Sequence, residues 1–102
     1  MGRNSGGVNK ISQQDAKAAV LKSYRQVMAI FNKGQEVSYV KFDSAVSNLS
    51  KRSAGQLANQ IHSELTKITG KYGSTGYPNK KLHQKALTMD KMWQKLLKHQ
   101  YA

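Results

Sequence analysis

Apolar side chains recur every three or four residues along most of this sequence, which is the spacing that places them on one face of an α-helix. Two breaks interrupt the pattern: Gly34, and residues 70–79, which hold three glycines and the single proline. Alternation of apolar and polar residues never extends beyond four or five positions, so strands are not expected. The pattern predicts an all-α protein, a compact bundle of three to four helices with a flexible basic N-terminal arm.

The first helix is predicted to begin after Ser12, because Asp15 follows three residues later in the spacing of a capping box. Gly34 is its expected end. A second, short helix is expected to start near Ser38. The apolar residues of these two helices are Ala16, Val20, Tyr24, Val27, Met28 and Phe31 in the first, and Tyr39, Phe42, Val46 and Leu49 in the second.

The third helix is predicted to follow a cap at Ser53 and to close at Gly70. The last helix is predicted from about Lys80 to His99, with Met92 at the flank of its apolar stripe and therefore exposed. The expected apolar stripes are Leu57, Ile61, Leu65 and Ile68 in the third helix, and Leu82, Ala86, Met89, Trp93, Leu96 and Leu97 in the last.

The chain of 102 residues is long enough for one core, and we expect residues 12–102 to form a single helical domain. Residues 1–11 are rich in glycine and polar side chains and are expected to form the basic arm. The absence of cysteine excludes disulfides and thiolate metal sites. Neither a secretory apolar stretch near Met1 nor a spanning segment is present, so a cytoplasmic protein is expected.

The charge is carried by the two ends of the sequence. The net charge of +12 divides into +5 for residues 1–33, zero for residues 34–66 and +7 for residues 67–102. A field of this size attracts polyanions. The candidate nucleic-acid-binding residues are Arg3, Lys10, Lys17, Lys22, Arg25, Lys51, Arg52, Lys71, Lys80, Lys81, Lys91, Lys95 and Lys98.

The strongest of these candidates is the C-terminal stripe of Lys91, Lys95 and Lys98, whose spacing aligns three ammonium groups along about two helical turns. In the sequence only Asp90 lies near them, whereas a face built for solubility mixes both signs. An ordinary solvated face is the alternative interpretation.

The glycine-rich loop of residues 70–79 offers backbone N–H groups, two tyrosines and nearby lysines, which could hold a phosphate or stack on an unpaired base. The loop lacks the residue order GxxxxGK[ST] of a Walker loop. The alternative is a plain connector in which Tyr72 or Tyr77 packs back on the bundle.

Residues 38–69 could also form a helix-turn-helix, with Gln56, Asn59 and Gln60 on the outer face of its second helix. Three arginines against fourteen lysines argue for phosphate contact without bidentate base recognition.

Catalysis and metal binding are not expected. His62, His83 and His99 are scattered and have no metal-ligand spacing, so no catalytic residue, metal site or cofactor is predicted.

The sequence thus predicts a small helical protein that binds DNA or RNA through its phosphates with weak sequence preference. The alternative is an interaction or inhibitor protein, for instance from a mobile element, that docks its basic face on an acidic surface or nucleic-acid channel of a partner. A third possible function is binding of the last helix to a membrane surface. This function is disfavoured, because the apolar stripe of that helix holds no more apolar residues than packing in a bundle requires. Oligomeric state is left open.

Overall fold

The computed structural model describes residues 12–72 and 75–102. Within them the chain forms four α-helices and no strand, which confirms the all-α prediction. The helices are α1 (Gln13–Asn32), α2 (Val40–Val46), α3 (Lys51–Tyr72) and α4 (Lys80–Gln100). None of them is long and apolar enough to cross a membrane. The predicted arm, with the candidate residues Arg3 and Lys10, lies outside the described residues.

The limits of α1 and α4 follow the local chemistry of the sequence. The Ser12 side chain accepts a hydrogen bond from the Asp15 N–H at 3.1 Å. The Asn79 side chain accepts one from the Leu82 N–H at 2.8 Å. Each bond satisfies an N–H that the first helical turn leaves without a partner. Gly34, with φ +75, takes the left-handed conformation that ends α1.

The limits of α3 differ from the prediction at both ends. The helix begins at Lys51, because the Ser50 hydroxyl caps it by accepting a hydrogen bond from the Ser53 N–H at 3.1 Å. Ser53 itself is buried. At the other end α3 continues through Gly70 to Tyr72. A single glycine weakens a helix by about 1 kcal/mol but does not end it unless the backbone turns left-handed there.

The most extensive contact in the bundle joins α3 and α4. Gly55, near the start of α3, lies against the side chain of Gln100 at the end of α4, so the two helices are antiparallel. Buried Ala54 and Ala58 flank this glycine and leave room for α4 to approach. The other two helices cover this pair, with α2 packed on both α1 and α4.

The apolar side chains of all four helices form one hydrophobic core. Met92 is fully buried, so its predicted exposure is wrong. Trp93 is half-buried instead, with its ring centroid 4.6 Å from that of His62. An unbranched methionine fits an irregular interior, whereas the larger indole remains at the edge of the bundle. The largest fully buried side chains are Phe42, Ile61, Met92, Leu96 and Val20.

Replacement of Phe42 by alanine should lower the free energy of unfolding by about 3 to 5 kcal/mol, because the ring is fully buried and its loss leaves a cavity. Leu87→Ala is the control, since Leu87 is 49% exposed, and it should change stability by less than about 0.5 kcal/mol. Urea unfolding followed by circular dichroism measures both. Similar losses in the two variants would show that Phe42 is not part of the core.

Candidate nucleic-acid interface

Three cationic side chains from three helices line one groove of the protein. Arg25 of α1, Lys67 of α3 and Lys85 of α4 surround a cavity of about 530 Å³. Glu64 is the one carboxylate among the lining residues. Cations therefore outnumber acids in this groove, and an anion in it would meet a positive potential.

The floor of this groove is apolar and ends on a buried phenol. Met28, Ile68 and Met89 contribute to the lining. Tyr24 is 8% exposed, and burial together with the negative charge of Glu64 raises the pKa of Tyr24 to about 12. Like any tyrosine hydroxyl, that of Tyr24 is protonated at neutral pH and is a potential hydrogen-bond donor.

A second cationic depression lies where α1 ends and α4 begins. Asn32 lines the groove, and its backbone carbonyl accepts a hydrogen bond from Lys81 Nζ at 3.1 Å. Lys80 and Lys81 line the adjoining depression beside Gly34. Lys81 also lies one turn before Lys85 on α4, and residues four apart share a helix face. We refer to Arg25, Lys67, Lys80, Lys81 and Lys85 together as the basic groove.

Two lysines of the C-terminal stripe, Lys91 and Lys95, lie beside α2, whereas Lys98 is exposed. Lys95 Nζ lies 2.9 Å from Asp43 Oδ1 in an ion pair, so the interpretation that only Asp90 lies near the stripe is wrong. Lys91 Nζ and Lys95 Nζ lie 5.8 and 5.3 Å from the centroid of the Tyr39 ring. Both ammonium groups are positioned for cation–π attraction to that ring, which leaves them less available to a phosphate than isolated lysines.

The three candidate cations of α1, Lys17, Lys22 and Arg25, have different neighbours. Lys17 donates a hydrogen bond to Gln56 Oε1 at 3.0 Å, next to the exposed Lys51 and Arg52 in the first turn of α3. Lys22 lines a depression against α2, and Arg25 lines the basic groove. Lys17 and Lys22 are five positions apart, which is roughly 140° around a helix, so they reach different neighbours.

Aromatic side chains around the α3–α4 connection pack on one another. The Tyr77 ring stacks on His83 with centroids 4.7 Å apart, and the Tyr72 centroid lies 6.1 Å from that of Tyr77. Lys71 Nζ lies 5.4 Å from the Tyr72 centroid. Both tyrosines therefore pack within the protein, as expected if residues 70–79 are a plain connector between α3 and α4.

The helix-turn-helix alternative is wrong, because that motif requires its two helices to pack against each other. Here α2 packs chiefly on α1 and α4. Asn59 and Gln60 on the outer face of α3 are exposed. Gln56 accepts the hydrogen bond from Lys17.

The histidines occupy three separate structural positions. His62 contacts Trp93, His83 stacks on Tyr77, and His99 Nε2 lies 2.7 Å from the Leu49 carbonyl oxygen. No group of three His, Cys, Asp or Glu side chains in residues 12–72 and 75–102 could hold a metal ion.

Sequence reasoning missed Lys67 and Lys85, which line the basic groove with Arg25. The signal for Lys85 was present, since it follows Lys81 by four residues on the predicted last helix. No comparable signal marked Lys67, because only packing brings α3 beside Arg25.

Comparison of the chain with protein-family models, with curated proteins and with solved structures finds no match.

The raised pKa of Tyr24 predicts a phenol that loses its proton at higher pH than an ordinary tyrosine does. The unfolded chain loses this proton near pH 10 and the folded protein near pH 12, so the unfolded state binds fewer protons between these values. The free energy of unfolding should fall across that interval relative to Tyr24→Phe, and the difference between the two proteins should be constant below pH 10. Ultraviolet titration of phenolate and urea unfolding measure the two effects. A phenolate curve that Tyr24→Phe changes only near pH 10 would refute the environment described for this side chain.

Proposed function

We propose that the protein binds DNA or RNA through phosphate contacts in the basic groove, with weak sequence preference. The observation that carries the proposal is the meeting of Arg25, Lys67 and Lys85 from three helices around one cavity. These three residues are far apart in sequence, and the packing of α1, α3 and α4 brings them to one cavity.

The chemistry of the groove suits a phosphate chain. The cations continue from the cavity to Lys80 and Lys81, so successive phosphates along a backbone have successive partners. The protonated Tyr24 hydroxyl adds a neutral donor within the cavity. Lysine predominates in the groove, and lysine acts as a point charge with little preference among bases. These features support affinity without sequence recognition.

The whole-molecule charge supports the same function. A net charge of +12 on 102 residues raises the local concentration of any polyanion and speeds its encounter with the protein. Each phosphate that the protein neutralises releases condensed counterions, so the affinity must fall as salt rises.

A triple variant that combines Arg25→Gln, Lys67→Gln and Lys85→Gln should bind duplex DNA with a weaker salt dependence. The magnitude of the slope of log affinity against log salt should fall by about 2 to 3 units. Fluorescence anisotropy of a labelled duplex, and of a single strand of the same sequence, measures this slope. The matched control combines Lys22→Gln, Lys33→Gln and Lys41→Gln, which removes the same charge along α1 and α2 away from the basic groove. This control variant should reduce the magnitude of the slope by less than about 1 unit.

Equal slopes in the two triple variants would place the phosphate contacts outside the basic groove. A wild-type affinity that hardly changes between low and moderate salt would refute nucleic-acid binding itself. Circular dichroism of each variant verifies that the helices persist.

A further inference from the structure

A second groove, between α1 and α2, has a different chemical character. Val27, Ile30 and Val40 line a cavity of about 520 Å³ there. Val40 is 73% exposed, although it is the first residue of α2 and adjoins the buried Phe42. An exposed aliphatic side chain beside an aliphatic cavity indicates a surface that can bury a further apolar group. We call this surface the aliphatic groove.

Lysines surround the aliphatic groove. Lys33 and Lys41 are among its lining residues. An adjoining depression of about 370 Å³ shares Lys41 and adds Lys22. Among the residues that the structure describes, no carboxylate lines either one. A ligand for this surface therefore needs an apolar group flanked by negative charge.

We propose that the aliphatic groove binds an acidic segment of a partner protein, which inserts an aliphatic or aromatic side chain between α1 and α2. The inserted side chain contacts Val27, Ile30 and Val40. Asp or Glu residues on both sides of it pair with Lys22, Lys33 and Lys41. Val40, which is solvent-exposed in the free protein, becomes buried on binding.

The chemistry of the walls favours a peptide over a nucleic acid. Unpaired bases bind proteins by stacking on aromatic rings, and no aromatic residue lines the aliphatic groove or the depression beside it. Aliphatic walls instead complement an apolar side chain, and full burial of such a side chain contributes about 1.5 to 3 kcal/mol.

Charge complementarity also disfavours this chain as its own ligand. A second copy carries +12 and only five acidic residues, so two copies repel each other at a lysine-lined surface. One of those acids, Asp43, already pairs with Lys95. The segment that precedes α1, residues 1–11, contains Arg3 and Lys10 and no acid, and so lacks the charge that the groove requires.

The aliphatic groove and the basic groove are separate surfaces of α1. Ala29 is the one residue that lines both. Arg25 lines the basic groove and Lys22 lines the depression beside the aliphatic groove, although the two residues are only three positions apart on α1. The other α1 residues that line these two surfaces lie on opposite arcs of the helix. Binding of an acidic peptide consequently does not depend on the function proposed for the basic groove.

The test is a selection of short random peptides, displayed on phage, against the full chain at physiological ionic strength with an excess of single-stranded oligonucleotide. The proposal expects enrichment of peptides that hold one apolar residue between acidic residues. A synthetic peptide of the enriched sequence should bind about tenfold more weakly, or worse, when its apolar residue becomes serine.

Val40→Asp locates the binding. An aspartate at the first position of α2 is compatible with the helix, because negative charge is favourable at a helix N-terminus. This variant should weaken peptide binding by about tenfold or more. Leu87→Asp is the matched control, since it adds the same charge at a 49% exposed leucine of α4 that lines no part of the aliphatic groove, and it should retain the affinity.

Four results would overturn the proposal. In the selection, these are the absence of any enriched peptide and the enrichment of acidic peptides that have no apolar residue. In the binding measurements, they are an equal loss of affinity in the two aspartate variants and displacement of the synthetic peptide by the oligonucleotide. Self-association of the wild-type chain that Val40→Asp abolishes would likewise overturn it, by assigning the groove to a second copy. Loss of salt-dependent duplex binding would instead count only against the basic groove.

Discussion

The packing of α4 against α3 is the contact on which the rest of the bundle depends. Small buried residues at the start of α3 let the end of α4 approach, as the contact of Gly55 with Gln100 shows. Both α1 and α2 then rest on α4. Burial of apolar side chains drives this assembly, because the mutual repulsion of seventeen basic side chains opposes compaction and acids are too few to neutralise it.

The protein accommodates its excess charge by holding cations at the edges where helices meet. Some of them find partners: Lys95 pairs with Asp43, and Lys17 donates to Gln56. Arg25 and Lys85 instead line a groove with Glu64 as the one lining acid. Exposed ion pairs contribute little to stability, so the fold does not depend on neutralising these cations.

Helix α1 separates two surfaces of different chemistry. On one side it presents Arg25 to a groove whose cations come from three helices. On the other it presents Val27 and Ile30 to a groove with aliphatic walls and a lysine rim. Both surfaces attract anions, but the first suits a chain of phosphates and the second an acidic segment with an apolar side chain. One small bundle can therefore offer distinct sites to two kinds of partner.

The sequence alone determined the helical class, the positions of α1 and α4, and the strong positive net charge of the chain. These properties depend on local periodicity, on caps such as Ser12 and Asn79, and on composition, all of which act without reference to the fold. Only the tertiary structure decided which cations gather. Lys67 joins Arg25, and Asp43 reaches Lys95, because packing brings together side chains that are far apart in sequence. The burial of Met92 in place of Trp93 has the same origin, since neighbouring helices, not the periodicity of α4, define the shape of the interior.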